Sequence, residues 1–251
     1  MLIEVVAYSL HSCLVAEAAG AGRIELCGGQ PEGGTTPSIG LIMNTLAQVS
    51  IPIVVMIRPR GGDFCYSETE LSIIQTDLEI CKAIGVKEVI FGVLKPNGSL
   101  NVAAMADLIS IAAPMRVSCH RAIDMTENPL EMVDALITLG CKRILTSGAK
   151  NKAIEGIETI KAMVEKAAGR IEIMAGSGVN DENAFELSET GVDALHLSGS
   201  EVVTSKMTFK NEAILMAGSA GTSEYYTSET NLEKVRAVVD LFEINKKRDS
   251  I

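Results

Sequence analysis

Residues 1–27 read MLIEVVAYSLHSCLVAEAAGAGRIELC, and this stretch sets the pattern for the whole chain. Leu2 to Ala7 is a short apolar run of strand length. A longer segment with helical spacing follows and stops at Gly20 or Gly22, a residue type suited to a left-handed helix end. Arg23 to Cys27 is then a second strand run. Two strands joined through a helix make a parallel βαβ unit. A doubly wound open sheet would place a Gly-rich loop after its first strand, but here the strand runs into Tyr8-Ser9-Leu10.

The unit recurs along the chain. Further runs at Ile51 to Ile57, Glu88 to Gly92, Arg116 to His120, Arg143 to Thr146, Ile171 to Ala175 and Ala194 to Ser198 bring the strand count to eight. Between them, segments such as Glu68 to Ile84 and Ala153 to Ala168 set apolar residues three and four apart with charges opposite, as helices covering a sheet do. Gly85, Gly140, Gly169 and Gly191 punctuate the helix ends. Eight consecutive units in 251 residues predict a single (β/α)₈ TIM barrel, one α/β domain spanning 1–251. Residues 199 to 229, rich in Ser, Thr and Gly, have weak periodicity and predict an extended segment. A last helix is expected from about Asn231 to Asn245.

With 47% hydrophobic residues, 4% aromatics and no Trp, the core must be aliphatic. A net charge of -10 argues against nucleic acid and anionic membrane surfaces as partners. Six cysteines, Cys13, Cys27, Cys65, Cys81, Cys119 and Cys141, lack C-x-x-C spacing, which suits a reducing compartment and predicts a cytoplasmic protein. Glu4 interrupts the first apolar run, so no secretory signal is expected, and no segment has the length of a membrane span.

Barrel interiors are normally branched aliphatics, with side chains alternating between the inside and the helix layer. Glu4, Glu25, Arg58, His120 and His196 break that rule, since each lies in or at the end of a strand run between mostly apolar neighbours. Two Glu against one Arg and two His could converge on one cavity and neutralise one another. One reading is an internal network that only sets strand register. The other is an active site in which Glu and His exchange protons and Arg58 clamps an anion.

The loop after the third strand, Arg58-Pro59-Arg60-Gly61-Gly62-Asp63-Phe64, and the start of the loop after the fifth, His120-Arg121-Ala122-Ile123-Asp124, aim Arg60 and Arg121 at the same mouth. They either attract an anionic ligand or brace their own loops through Asp63 and Asp124. The last three strands end in Thr146-Ser147-Gly148, Ala175-Gly176-Ser177-Gly178 and Ser198-Gly199-Ser200. Ser147, Gly176, Ser177, Gly178, Ser198 and Gly199 are therefore candidates for anion binding, because barrel phosphate sites are often built after strands seven and eight. Among the thiols, Cys27 ends strand two and Cys65 sits in the next loop, so the two could approach around a soft metal.

These motifs resemble the CutC family of copper homeostasis proteins over nearly the whole chain. The carriers are Arg23-Ile24-Glu25-Leu26-Cys27, Glu32-Gly33-Gly34-Thr35-Thr36-Pro37-Ser38, Ile57-Arg58-Pro59-Arg60-Gly61-Gly62-Asp63-Phe64, His120-Arg121-Ala122 and Leu145-Thr146-Ser147-Gly148. The resemblance implies a (β/α)₈ barrel and cytosolic copper handling, with Cu(I) bound by cysteines at the ends of strands one and two. Cys27 matches the strand-two position, whereas Val6 and Ala7 stand where the family carries its strand-one cysteine. A two-thiolate site cannot form there. Three expectations follow: a Cu(I)-binding homeostasis protein; a metal-independent lyase, isomerase or hydrolase acting on a small anionic metabolite; or a scaffold for partner proteins. A homodimer is expected, as barrels of this size often self-associate.

Overall fold

The computed structural model describes residues 1–211, 213–214 and 223–248. Eight parallel strands close into a barrel in sequence order: β1 (Leu2–Ala7), β2 (Arg23–Leu26), β3 (Ile53–Met56), β4 (Glu88–Phe91), β5 (Arg116–Cys119), β6 (Arg143–Thr146), β7 (Glu172–Gly176) and β8 (Ala194–Leu197). β8 pairs with β1 and sets His196 beside Glu4. The connecting helices are α1 (Leu10–Ala18), α2 (Ile39–Gln48), α3 (Glu68–Ala83), α4 (Val102–Ala112), α5 (Pro129–Thr138), α6 (Ile157–Ala167) and α7 (Ala184–Ser188). The expected eight-strand barrel is therefore the observed fold.

Local chemistry accounts for the element ends. Ser67 caps α3 through a reciprocal capping box with Glu70, which satisfies two otherwise unpaired N–H groups. α6 starts later than expected, because Ala153–Gly156 forms a tight 3₁₀ turn before the helix proper. Gly20 is the residue that takes the left-handed turn after α1, at φ +92°.

The segment after β8 is extended and ends in a helix, as expected, but its strands are paired. It carries β9 (Ser200–Thr204) and β10 (Tyr226–Thr230), an antiparallel ribbon outside the barrel, before α8 (Leu232–Arg248). Val202 and Val203 supply β-branched residues, but long-range pairing with residues more than 20 positions away is invisible to local periodicity. Part of the expected extended segment, residues 212 and 215–222, lies outside the described residues. Among the described residues no helix is long and apolar enough to cross a membrane.

Alternation along the strands separates two apolar clusters. Ile3, Val5, Ile24, Leu26, Val55 and their counterparts face the helices, while Val6, Val54, Met56, Ile90, Leu145 and Met174 fill the inside. The interior is apolar only in this middle layer. Below it, Arg143 bonds Glu88, Ser118 and Glu172, and Arg116 reaches Glu88 at 3.1 Å. Each buried charge there has a partner of opposite sign, as burial requires. Above the middle layer the pairing is incomplete.

Candidate functional site

At the carboxyl ends of the strands lies a cavity of about 300 Å³. Glu25, Arg58, His120 and His196 all reach it, together with Arg121, Ser177, Gly178 and Ser198. Val6, Tyr8, Met56, Phe64, Leu145 and Leu197 add an apolar wall. Residues from seven of the eight strands or their ends meet here because side chains at like heights on a closed parallel barrel converge on its axis.

Glu4 lies one layer deeper and does not line the cavity. It accepts a hydrogen bond from Arg23 Nε and another from His196 Nδ1 at 2.8 Å. Burial by itself would raise its pKa, but the hydrogen bond from His196 and the charge of Arg23 bring it down to about 2. Arg23, the residue that neutralises Glu4, was absent from the sequence candidates. Its place two positions before Glu25, and so on the same strand face, was the available signal.

His196 stands between two carboxylates, with Nδ1 on Glu4 and Nε2 3.6 Å from Glu25. Burial opposes its charge, yet the two glutamates overcome that and raise its pKa. Glu25 is different. Burial raises its pKa to about 7 against the pull of His196, and its Oε1 has no hydrogen-bond partner.

His120 is held by Ala122, whose backbone N–H donates to Nδ1 at 3.2 Å. Burial, reinforced by the charge of Arg58, lowers its pKa to about 3, so the ring is neutral at pH 7. A neutral ring that accepts at Nδ1 carries its proton on Nε2. That Nε2–H is buried and unpartnered. Phe64 covers the ring at a centroid distance of 4.8 Å and also stacks under the Arg58 guanidinium at 4.9 Å.

Arg58 does not present an open fork. Its terminal nitrogens donate to the carbonyls of Glu32, Gly34 and Gly62 at 2.7–2.8 Å, leaving Nε buried and unpartnered. Of the guanidinium expected to clamp an anion, Nε is the nitrogen that the loop carbonyls leave unoccupied. Arg60 lies outside the cavity, bound to Glu70 and Asp63 and stacked on Tyr66. Arg121 lines the rim, but its Nε bonds Asp124 at 2.8 Å and its Nη2 bonds Ser147 at 2.8 Å. Both loop-bracing pairs are formed.

Ser177, at φ +88°, and Gly178 reach the rim after β7, and Ser198 does so after β8. Ser147 is buried among Asp124, Arg121 and Lys150, while Gly176 and Gly199 do not line the cavity. The sequence candidates also omitted Tyr8, Phe64 and the other apolar lining residues, which look like ordinary loop or strand residues until the barrel closes around them.

The sequence profile of the CutC family matches residues 1–201. The chain belongs to the CutC family. A family protein CutC from Parabacteroides distasonis is 47% identical over 240 residues, covering 95% of this chain and 99% of its own length. A human protein named copper homeostasis protein cutC homolog is 41% identical, covering 94% of this chain and 87% of its own. The crystal structure of a copper homeostasis protein CutC from Streptococcus agalactiae superposes with a TM-score of 0.74 at 36% identity, covering 78% of this chain and 97% of its own. A tryptophan synthase complex from Pyrococcus furiosus, at 15% identity and a TM-score of 0.56, shares the fold alone.

Neither Cys27 nor Cys65 lines the cavity. Cys27 is fully buried, and burial together with the Glu25 charge raises its pKa well above the ordinary range, which keeps it a thiol. Among the described residues, the His, Cys, Asp and Glu groups that converge closely enough to share an ion are Glu4, Glu25 and His196, with no cysteine among them. Soft Cu(I) prefers thiolates over this hard oxygen and imidazole set.

Proposed function

We propose that this CutC-family barrel binds a small carbonyl or carboxylate metabolite at its mouth and moves a proton on the carbon beside that group. The observation that carries the reading is that three residues lining one cavity each hold a buried polar atom without a hydrogen-bond partner, Glu25 Oε1, His120 Nε2 and Arg58 Nε, the fourth such atom among the described residues, Tyr66 Oη, belonging to a residue off the cavity. Leaving a buried polar group unsatisfied costs roughly 1–3 kcal/mol, so three at one spot are what a ligand would repay.

Their polarities divide the work. His120 Nε2–H and Arg58 Nε–H are donors, suited to the oxygen on which negative charge develops when a proton leaves the adjacent carbon. A neutral imidazole serves here because it donates without first holding a full charge. Glu25, with a pKa of about 7, is close to the value that makes a carboxylate an effective base and its acid form an effective donor at neutral pH. A lyase or an isomerase step fits this equipment. Ser177, Gly178, Ser198 and Arg121 at the rim supply the place for a phosphate or second carboxylate on the same molecule.

The test is hydrogen exchange. A panel of 2-oxo acids, 3-oxo acids and hydroxyketone phosphates is incubated with the protein in D₂O, and loss of the α-hydrogen is followed by NMR. Exchange that disappears in Glu25→Gln and His120→Ala supports the reading, and no exchange with any compound overturns it.

The names of the human and mouse relatives favour a second reading, copper homeostasis, in which Cu(I) is the cargo and Cys27 its ligand. Anaerobic competition against a Cu(I) chelator, with wild type and Cys27→Ser, decides it: stoichiometric uptake lost in the variant supports it. Both readings place the protein in the cytoplasm, where its free cysteines stay reduced. Both include a homodimer, which light scattering checks.

A further inference from the structure

A second, larger groove adjoins the mouth cavity. Its volume is about 880 Å³ against about 300 Å³ for the cavity, and Tyr8 lines both. One wall comes from Ser9 after β1 and from Gly29, Gln30 and Pro31 after β2, and the other from the ribbon of β9 and β10. On the ribbon, Val202 and Tyr226 share a face, because Val202 pairs with Ser228 and Tyr226 stands two positions before Ser228. Both are apolar or aromatic and open to solvent, Val202 at 74% exposure and Tyr226 at 53%. Exposed apolar side chains gathered in one concavity mark a surface that receives another molecule.

The base of the ribbon is held to the barrel. The Thr230 N–H donates to Ser12 Oγ of α1 at 3.1 Å, the Asn231 N–H to the Gly199 carbonyl at 2.8 Å, and Lys234 Nζ to the Ser200 carbonyl at 2.8 Å. The groove is therefore built into the fold by the same strands that leave Val202 and Tyr226 uncovered.

We propose that this groove is the second half of the ligand site, and that the metabolite carries an uncharged aryl group that passes Tyr8 and lies against Val202 and Tyr226 while its carbonyl or carboxylate end occupies the mouth cavity. The inference rests on the reading of the mouth as a site for such a metabolite, and it adds the substrate class. The shared Tyr8 makes the two spaces continuous. A cavity of about 300 Å³ is at the small end for a ligand site, and the groove supplies room for the rest of a larger molecule. Charge excludes a phosphate from the groove. Among its described lining residues there is no Lys or Arg, and the carboxylate there, Glu229, faces His11 at 3.6 Å. Arg58 and Arg121, the cations suited to an anion, line the mouth cavity instead. Four tyrosines and five phenylalanines occur in 251 residues, yet Tyr8, Phe64 and Tyr226 all line the two joined spaces. Flat side chains of this kind favour a flat ring, which stacks on them in offset or edge-to-face geometry.

The test compares two pairs of compounds that share a head and differ by a ring: pyruvate with phenylpyruvate, and acetoacetate with benzoylacetate. Affinities for the full-length protein are measured by ligand-observed NMR titration. In at least one pair the aryl member should bind about tenfold or more tightly, the gain expected from burying a ring. Its ring protons should show cross-relaxation to the Val202 methyls. In Tyr226→Ala and in Val202→Glu, both at exposed positions that the fold tolerates, that advantage should fall to about twofold or less.

Equal affinities within both pairs overturn the proposal, as does an advantage that survives both variants or the absence of binding by all four compounds. Light scattering adds one more outcome. A dimer that Val202→Glu converts to monomer puts a second copy of the chain in the groove and overturns the proposal. Binding is read here without turnover. An aryl acid that binds in the groove but exchanges no α-hydrogen overturns the proposed chemistry alone, and exchange on compact compounds with no preference for the ring overturns the groove alone.

Discussion

Glu25 and His120 sit in one cavity with pKa values displaced in opposite directions, and each displacement is a statement about stability as well as chemistry. The folded-state value of Glu25, about 7, lies above its ordinary 4.5, so the unfolded chain releases the proton first. This residue therefore removes stability as pH rises from 4.5 to 7. Urea unfolding across that window should show a decline in wild type that is reduced in Glu25→Gln. His120 has the reverse sign. Its value of about 3 lies below 6.5, the unfolded chain takes up the proton first, and stability is lost as pH falls from 6.5 toward 3. In His120→Gln that acid-side loss should shrink. A wild-type slope unchanged by either variant would show that the two groups are not displaced as described. Both residues were legible as candidates because a charged or ionisable side chain in a strand run is conspicuous. Their opposite protonation was not, since it depends on how completely the closed barrel dehydrates each one and on the Arg58 charge beside His120.

At the scale of single elements, the loops after β5 and β6 behave as one unit. Asp124, in the turn after β5, accepts the hydroxyl of Thr146 at 2.5 Å, the backbone N–H groups of Ser147 and Ala149, and the Nε of Arg121. Asp124→Ala strips these donors of their acceptor inside a half-buried turn and should cost about 2–4 kcal/mol by urea unfolding. It should also free Arg121 to move at the rim. An effect under 1 kcal/mol would mean that water replaces the carboxylate without penalty. The sequence suggested the Arg121 to Asp124 pair from its spacing. It could not suggest the bond to Thr146, which exists because β6 lies next to β5 in the closed sheet. The ribbon of β9 and β10 was missed for a related reason: its register pairs Ser200 with Thr230 across a long excursion, and local periodicity carries no trace of that partner.

Across the molecule, the two ends of the barrel differ in how completely their buried charges are paired. The lower cluster of Arg143, Glu88, Ser118, Glu172 and Arg116 is internally paired and does not line the mouth cavity. Arg143→Met would leave Glu88 buried with Arg116 as its one charged partner beside the Ser118 hydroxyl and should lower stability by roughly 3–5 kcal/mol. Any α-hydrogen exchange at the mouth should persist in the folded fraction. Loss of exchange with stability intact would show that the lower cluster acts on the site. This arrangement follows from the fold, in which catalytic groups collect at the carboxyl ends of the strands and the opposite face is free to be structural.

The repeated strand and helix periods, the glycine stops and the cysteine-poor mouth were decided by the sequence itself, because each depends on residues near one another in the chain. Those local signals were sufficient for an eight-unit barrel, for its family, and for Glu4, Glu25, Arg58, His120 and His196 as the polar residues that break the aliphatic rule. Closure of the sheet decided the rest. It brought β8 against β1 so that Glu4 meets His196, tied up the Arg58 fork on loop carbonyls, withdrew Arg60 to Glu70, and left Glu25 Oε1, His120 Nε2 and Arg58 Nε without partners on residues that line one cavity. Which buried groups find partners and which are left for a ligand is settled by distances between residues far apart in the chain, and only the folded barrel sets those.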